Sequence, residues 1–135
     1  IVVDPKNKFL YLTQPGARAI RYGIGVGRAG FAWNGEAEIR FKREWPKWFP
    51  PDEMIDRDPS LEKYRDGQEG GPRNPLGARA LYLYQGGQDT IYRIHGTSEP
   101  WTIGLNVSSG CIRLLNKDVI DLYNRTKVGA KVIVL

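Results

Sequence analysis

The sequence predicts a mainly β fold with one clear helix and a long irregular lid. Three observations carry that expectation. Several short runs alternate apolar residues with polar ones or glycine, the period-2 pattern of half-buried strands. The chain holds 16 glycines and 9 prolines in 135 residues, and many of them punctuate those runs, where turns are needed. Only one stretch, near the C-terminus, carries the 3.6-residue spacing of an amphipathic helix. At 135 residues this is one domain, 1–135, long enough to enclose a real core.

In chain order, Ile1, Val2 and Val3 open on a strand and residues 9–13 form the next. Gln14, Pro15, Gly16 and Ala17 make a turn. Ile20, Tyr22, Ile24 and Val26 then alternate with Arg21, Gly23, Gly25 and Gly27, a half-buried strand in a hairpin with the one before. The glycines on its open face allow something to approach the backbone closely. They are not a nucleotide-binding loop, since no helix start follows them. Residues 38–42 alternate again, with Ile39 and Phe41 expected to point inward.

Regularity stops over residues 44–75. Asp52 is placed to cap a turn through Ile55, and Asp58 before Pro59 to start another through Leu61 and Tyr64. Trp45, Trp48, Phe49 and Met54 argue against disorder, so the segment reads as a folded-over lid, with Gly67, Gly70 and Gly71 as hinges. The alternative is an insertion that only covers a sheet edge. Beyond it, residues 78–85 and 90–95 are paired strands about a Gly86-Gly87 turn. A polar loop fills 97–110. Asn116 is expected to cap a helix over 117–125 with Val119, Leu122 and Tyr123 as its buried stripe. Residues 131–135 form the last strand.

The formal charge is +5. The basic residues are dispersed, with no recognition-helix or RNA-binding motif, so an anionic partner other than nucleic acid is favoured. No apolar run is long enough to span a membrane. Opening directly on a strand, with no leader, the sequence reads as an excised domain or mature fragment, which says nothing about export.

The chemistry gathers at two places. Cys111 and His95 are the only cysteine and the only histidine, each beside a glycine. A thiol nucleophile needs a base that titrates near neutrality, and histidine supplies it. Gly110 lets the backbone turn tightly before Cys111, so the amides of Gly110 and Cys111 can converge on an oxyanion. Arg113 offers a fork that fits a carboxylate. The plainer reading keeps Cys111 as a small buried hydrophobe and His95 as a satisfied core residue. A zinc site would need two further His or Cys ligands, and none exists in the sequence. Trp45 and Trp48 are either a substrate wall or a satellite core, and Ser108 and Ser109 either line the site or only satisfy loop backbone.

The run from His95-Gly96 through Ser108-Ser109-Gly110-Cys111-Ile112-Arg113 resembles the signature of the L,D-transpeptidase catalytic domain, also called the YkuD domain. The resemblance continues in Val2-Val3-Asp4-Pro5, Gly25-Val26-Gly27, Asn74-Pro75-Leu76-Gly77 and Val128-Gly129-Ala130-Lys131-Val132. One position departs: Ser109 stands where many members carry a second histidine. The resemblance implies a β-sandwich-like fold and acyl transfer on peptidoglycan stem peptides in the periplasm or cell envelope. It implies that Cys111 takes the acyl group, that His95 moves the proton, and that the Gly96 carbonyl orients His95. Arg113, Ser108, Ser109, Trp45 and Trp48 would contact substrate, and no metal or organic cofactor is required. The acceptor would be a second stem, a lysine of a wall-anchored lipoprotein or a D-amino acid, with the domain acting as a monomer. A hydrolase with the same Cys-His pair, or a non-catalytic wall-binding module, remains the alternative.

Overall fold

The computed structural model describes residues 1–28, 33–108 and 111–135. Eight strands form one curled sheet. They are β1 (Val2–Asp4), β2 (Phe9–Gln14), β3 (Arg18–Gly23), β5 (Gly35–Glu44), β6 (Arg79–Gln85), β7 (Gln88–His95), β9 (Ile112–Arg113) and β10 (Lys131–Val134). Their order across the sheet is β3-β2-β1-β10-β5-β6-β7-β9. A second sheet pairs β4 (Val26–Gly27) with β8 (Asn106–Ser108). The mainly β class is therefore as expected, and the two sheets are very unequal.

The alternation read from the sequence fixes which face is buried. Leu10, Leu12, Tyr22, Leu81, Leu83, Ile94, Val132 and Val134 join one core. The helix α2 (Asn116–Arg125) covers part of that core with Val119 and Leu122, against β6 and β7. The Tyr22 hydroxyl donates to Asp121 at 2.7 Å and ties α2 to the other end of the sheet.

Two bulges redirect side chains. On β5, Ile39 pairs with Leu83 but Phe41 pairs with Tyr82, so Arg40 is an extra residue. That slip carries Phe41 out of the core, where it packs edge-on against Tyr84 at 5.5 Å, contrary to the inward position expected. On β7 the pairing jumps from Tyr82↔Arg93 to Tyr84↔Asp89. Ile91 sits in this irregularity with φ 71°, a costly conformation for a β-branched side chain. Its N–H donates to Asp89 Oδ1 at 2.8 Å, and the Thr90 hydroxyl donates to the Leu83 carbonyl at 2.7 Å, so side chains replace the missing ladder bonds.

The glycine-rich run splits. β3 ends at Gly23, and Gly25 forms a bridge with Arg113. What approaches Gly25 is the chain itself: a Cβ there would lie 2.8 Å from the Thr102 carbonyl. No helix among the described residues is long and apolar enough to cross a membrane.

The irregular segment carries α1 (Asp52–Arg57) and a 3-10 turn (Pro59–Tyr64). Asp58 caps the second, accepting from Ser60 N at 3.2 Å, as expected. Asp52 opens α1 without capping it; no side chain caps α1. Trp48 and Gln68 exchange two backbone hydrogen bonds of 2.9 and 2.7 Å, which close the segment into a loop with a narrow neck. Asn74, with no exposed surface, fills that neck. Gly70 is fixed there rather than a free hinge, since a Cβ on it would fall 2.0 Å from the Trp45 carbonyl.

Candidate active site

His95 ends β7, and β9 runs parallel beside it with Ile94 opposite Ile112 and His95 opposite Arg113. Paired residues of neighbouring strands project to the same face. Cys111 lies two residues before Arg113, so it shares the face of His95, one strand across and two residues along. The backbone of Arg113 is held on both sides: Gly25 and Arg113 exchange two 2.9 Å hydrogen bonds, and Leu114 N donates to the His95 carbonyl at 2.9 Å. The thiol therefore follows directly from a clamped strand.

The imidazole is buried, with 4% of its surface exposed. Its Nδ1 lies 2.5 Å from the Gly96 carbonyl oxygen. A carbonyl can only accept, so Nδ1 carries the proton and Nε2 keeps its lone pair. Burial lowers the His95 pKa to about 4, the Gly96 carbonyl opposes this, and the guanidinium groups of Arg113 and Arg93 add to it. Cys111 is half-buried, and burial raises its pKa, opposed by a hydrogen bond from the Arg93 backbone and by the charges of Arg93 and Arg113. Burial thus favours the uncharged form of each group, the thiol and the neutral imidazole.

Cys111 opens on a cavity of about 620 Å³. One wall is the lid, through Lys47, Trp48, Phe49, Met54 and Arg57; the other is Leu76 with the Thr90-to-Arg93 bulge. The segment 44–75 is thus a cover over Cys111. Lys47, Arg57 and Arg93 against Glu53 make the lining cationic.

Several expected residues fall elsewhere. Trp45 does not line this cavity; its N–H is spent on the Ala78 carbonyl at 2.7 Å, at the base of the lid. Arg113 does not line it either: its guanidinium turns to Thr102 Oγ1 at 3.4 Å and Glu99 at 3.7 Å. Ser109 and Gly110 lie outside the described residues, as does the side chain of Ser108, whose backbone ends β8. Arg93, two residues from His95 on the same strand, is a lining residue that sequence pattern alone does not mark. It is gripped by both oxygens of Asp89 at 2.6 and 2.9 Å and lies over the Tyr82 ring at 4.6 Å. Among the described residues no group of three or more His, Cys, Asp or Glu is gathered to hold a metal ion.

Asn116 also departs from expectation. It starts α2 but does not cap it; its Oδ1 instead accepts from Ala78 N at 3.0 Å and Thr97 N at 3.1 Å. The room for that reach comes from the glycines at 77 and 96, which the fold sets against the carboxamide.

The chain is similar to known proteins over nearly its whole length. The family model described as the L,D-transpeptidase catalytic domain, YkuD, matches residues 1–134. Among curated relatives, the probable L,D-transpeptidase ErfK/SrfK of Escherichia coli is 35% identical over 98% of this chain and 42% of its own length. The probable L,D-transpeptidase YbiS of the same species is 33% identical over 98% of this chain and 43% of its own. The chain thus spans about two fifths of these relatives. A solved structure of an L,D-transpeptidase from Mycobacterium smegmatis shares the fold, with TM-score 0.68 at 22% identity, over 99% of this chain and 57% of that one. A Brucella melitensis structure, described as a probable carnitine operon oxidoreductase, is 54% identical over 98% of this chain and 83% of that one, with TM-score 0.66. That description and the family match disagree. The fold sides with the family match: the glycine-rich run here continues into strand β4 rather than the helix that opens a dinucleotide site. The chain belongs to the YkuD family of L,D-transpeptidase catalytic domains.

Proposed function

We propose that this domain is a cysteine-dependent peptidoglycan L,D-transpeptidase. Cys111 Sγ attacks the carbonyl before the terminal D-alanine of a donor tetrapeptide. The thiol proton passes to His95 Nε2 and on to the departing amine as the C–N bond breaks and a thioester forms. An acceptor amine then attacks the thioester, gives its proton to His95, and restores the thiol. The backbone amides of Gly110 and Cys111 hold the oxyanion in both steps; one such donor is worth about 3–4 kcal/mol in other enzymes.

The observation that carries this reading is the His95 ring. Its Nδ1–H is committed to Gly96, so Nε2 is the basic nitrogen, on the face shared with Cys111. A buried neutral imidazole beside a protonated thiol suits transfer of the proton at the moment of attack, with no stored thiolate for stray electrophiles. The cationic cavity supports an anionic donor such as a stem peptide, whose carboxylate would meet either Arg93, which lines the cavity, or Arg113, two residues from the nucleophile. Trp48 and Phe49 supply apolar surface that helps to exclude water.

On this reading the domain acts in the periplasm or cell envelope, as a monomer, on stem peptides and an amine from a second stem, a lipoprotein lysine or a D-amino acid. The test is intact mass and product separation after incubation with a donor tetrapeptide, with and without acceptor. A gain of acyl mass on Cys111 and acceptor-dependent product are expected. Tripeptide as the dominant product at every acceptor concentration would assign a hydrolase instead. No adduct with any donor would leave only a wall-binding module.

A further inference from the structure

We propose that Asn116 is a positioning residue for His95, holding the ring in its reactive tautomer through the peptide that joins Gly96 to Thr97. The inference rests on the reading of His95 as the base. The Gly96 carbonyl that accepts from His95 Nδ1 and the Thr97 N–H that donates to Asn116 Oδ1, at 3.1 Å, belong to one planar peptide unit. Asn116 therefore grips the far edge of the plane whose near edge grips the imidazole. A hydrogen bond at the N–H also polarises the carbonyl, making it the better acceptor for Nδ1–H.

The same Oδ1 accepts from Ala78 N at 3.0 Å. It thereby ties the His95 strand end to the start of β6 and anchors both to α2, which the core holds through Val119 and Leu122. The backbone is shaped around this oxygen. A Cβ on Gly96 would stand 2.2 Å from Oδ1 and one on Gly77 2.3 Å, so both neighbours must be glycine for the carboxamide to enter. Gly77 also holds φ 66°, which favours glycine independently.

The test uses the fact that His95 is the only histidine and Cys111 the only cysteine. Long-range proton–nitrogen correlation of the imidazole reads the tautomer of one ring without ambiguity. The wild type should show the Nδ1–H form throughout neutral pH. In Asn116→Ala the Nε2–H form should become populated, and acylation of Cys111 by a donor tetrapeptide should slow by about 10- to 100-fold, the usual cost of small misplacement. Asn116→Asp keeps an acceptor oxygen in place and should restore the Nδ1–H form. If Asn116→Ala fails to fold, Asn116→Ser, too short to serve both amides, is read in the same way. A folded Ala or Ser variant with the wild-type tautomer overturns the proposal, whatever its rate. The tautomer measurement needs no stem peptide, so a wild type that takes no donor would refute the proposed function and leave this assignment to be decided by the ring alone.

Discussion

The strand end that carries His95 and the lid over Cys111 are each anchored by one asparagine, and the two anchors join different things. Asn116 reaches from α2 to Ala78 and Thr97, so it links helix, sheet and the His95 strand end into one body. Asn74 donates to the carbonyls of Pro46, Gln68 and Glu69 and accepts from Leu76 N at 2.8 Å. Every one of its side-chain partners lies in the lid or its last neighbour, so the carboxamide links the lid only to itself. His95 is thus built into the core, where an error propagates into the sheet. The cover is built as a loop with a closed neck, which can change without disturbing what lies beneath. Groups that move protons need fixed geometry, and groups that recognise a substrate tolerate variation.

The largest effects should come from breaking the core side. Cys111→Ala should abolish acylation, read as the absence of any mass gain with a donor tetrapeptide or a carbapenem. His95→Gln should keep the thiol but lose the base, slowing acylation by about 10²–10⁴-fold, the usual range for a proton-transfer group. A persistent adduct on Cys111→Ala would move the nucleophile elsewhere.

Acid should find the same side of the comparison. His95 has a folded pKa of about 4 against an ordinary 6.5, so the unfolded chain binds the proton first. The stability that comes from keeping the ring neutral is complete above about pH 6.5 and is lost as pH falls towards 4, by about 3 kcal/mol in all. Asp89 and Asp121, whose carboxyls are held low by hydrogen bonds from Arg93 and from Tyr22 and Arg125, lose stability in acid too. The measurement is therefore a difference: denaturant unfolding of wild type and His95→Gln at pH 7 and pH 4.5. The wild type should lose more on acidification, and equal losses would show that the ring is not held neutral by burial.

Cutting the lid should have a smaller effect, on recognition alone. Trp48 and Gln68 already pair across the neck, so residues 49–67 can be replaced by a two-residue Asn-Gly turn. The shortened chain should still unfold cooperatively, while donor acylation falls about 10-fold or more through KM as the site loses its dry wall. Loss of cooperativity would mean that the lid belongs to the core after all.

How far the sequence revealed these two regions follows from the range of the forces involved. Strand faces are a local property, so Leu81 and Leu83 against Tyr82 and Tyr84, the Gly86-Gly87 turn and the stripe on α2 were all legible. The bulges were not: Arg40 and Ile91 leave the pattern of apolar residues almost intact, and only the register with β6 shows that Phe41 has been turned. β4 and β8 were hidden for a related reason, since two- and three-residue strands are too short to show a period. At the site, the pairing of Cys111 with His95 could be read because each is the sole residue of its kind. Asn116 could not, because a carboxamide before a helix is ordinarily a cap, and only the tertiary fold sets Gly77 and Gly96 against it.

The smallest effects should separate the two arginines beside the site. Arg93 lines the cavity with Cys111, whereas Arg113 is turned to Glu99 and Thr102, and its Nε is buried with no hydrogen-bond partner among the described residues. The Arg93 fork is held by Asp89, so a lysine at 93 would exchange that two-pronged contact for a point charge and loosen the cation that lines the cavity. If Arg93 meets a donor carboxylate, Arg93→Lys should weaken donor binding by about 10-fold, part of the 1.5–3 kcal/mol that a charged hydrogen bond is worth. Arg113→Lys should change kcat/KM by only about two- to threefold, because the ion pair it perturbs is long and its Glu99 partner is open to solvent, a setting worth about 0.5 kcal/mol. Both are measured with a donor whose terminal carboxylate is present or amidated. Arg93→Lys should erase the preference for the free carboxylate, and Arg113→Lys should leave it. If instead the preference is lost only in Arg113→Lys, the guanidinium leaves Glu99 when substrate arrives, and the contact belongs to the residue two positions after the nucleophile.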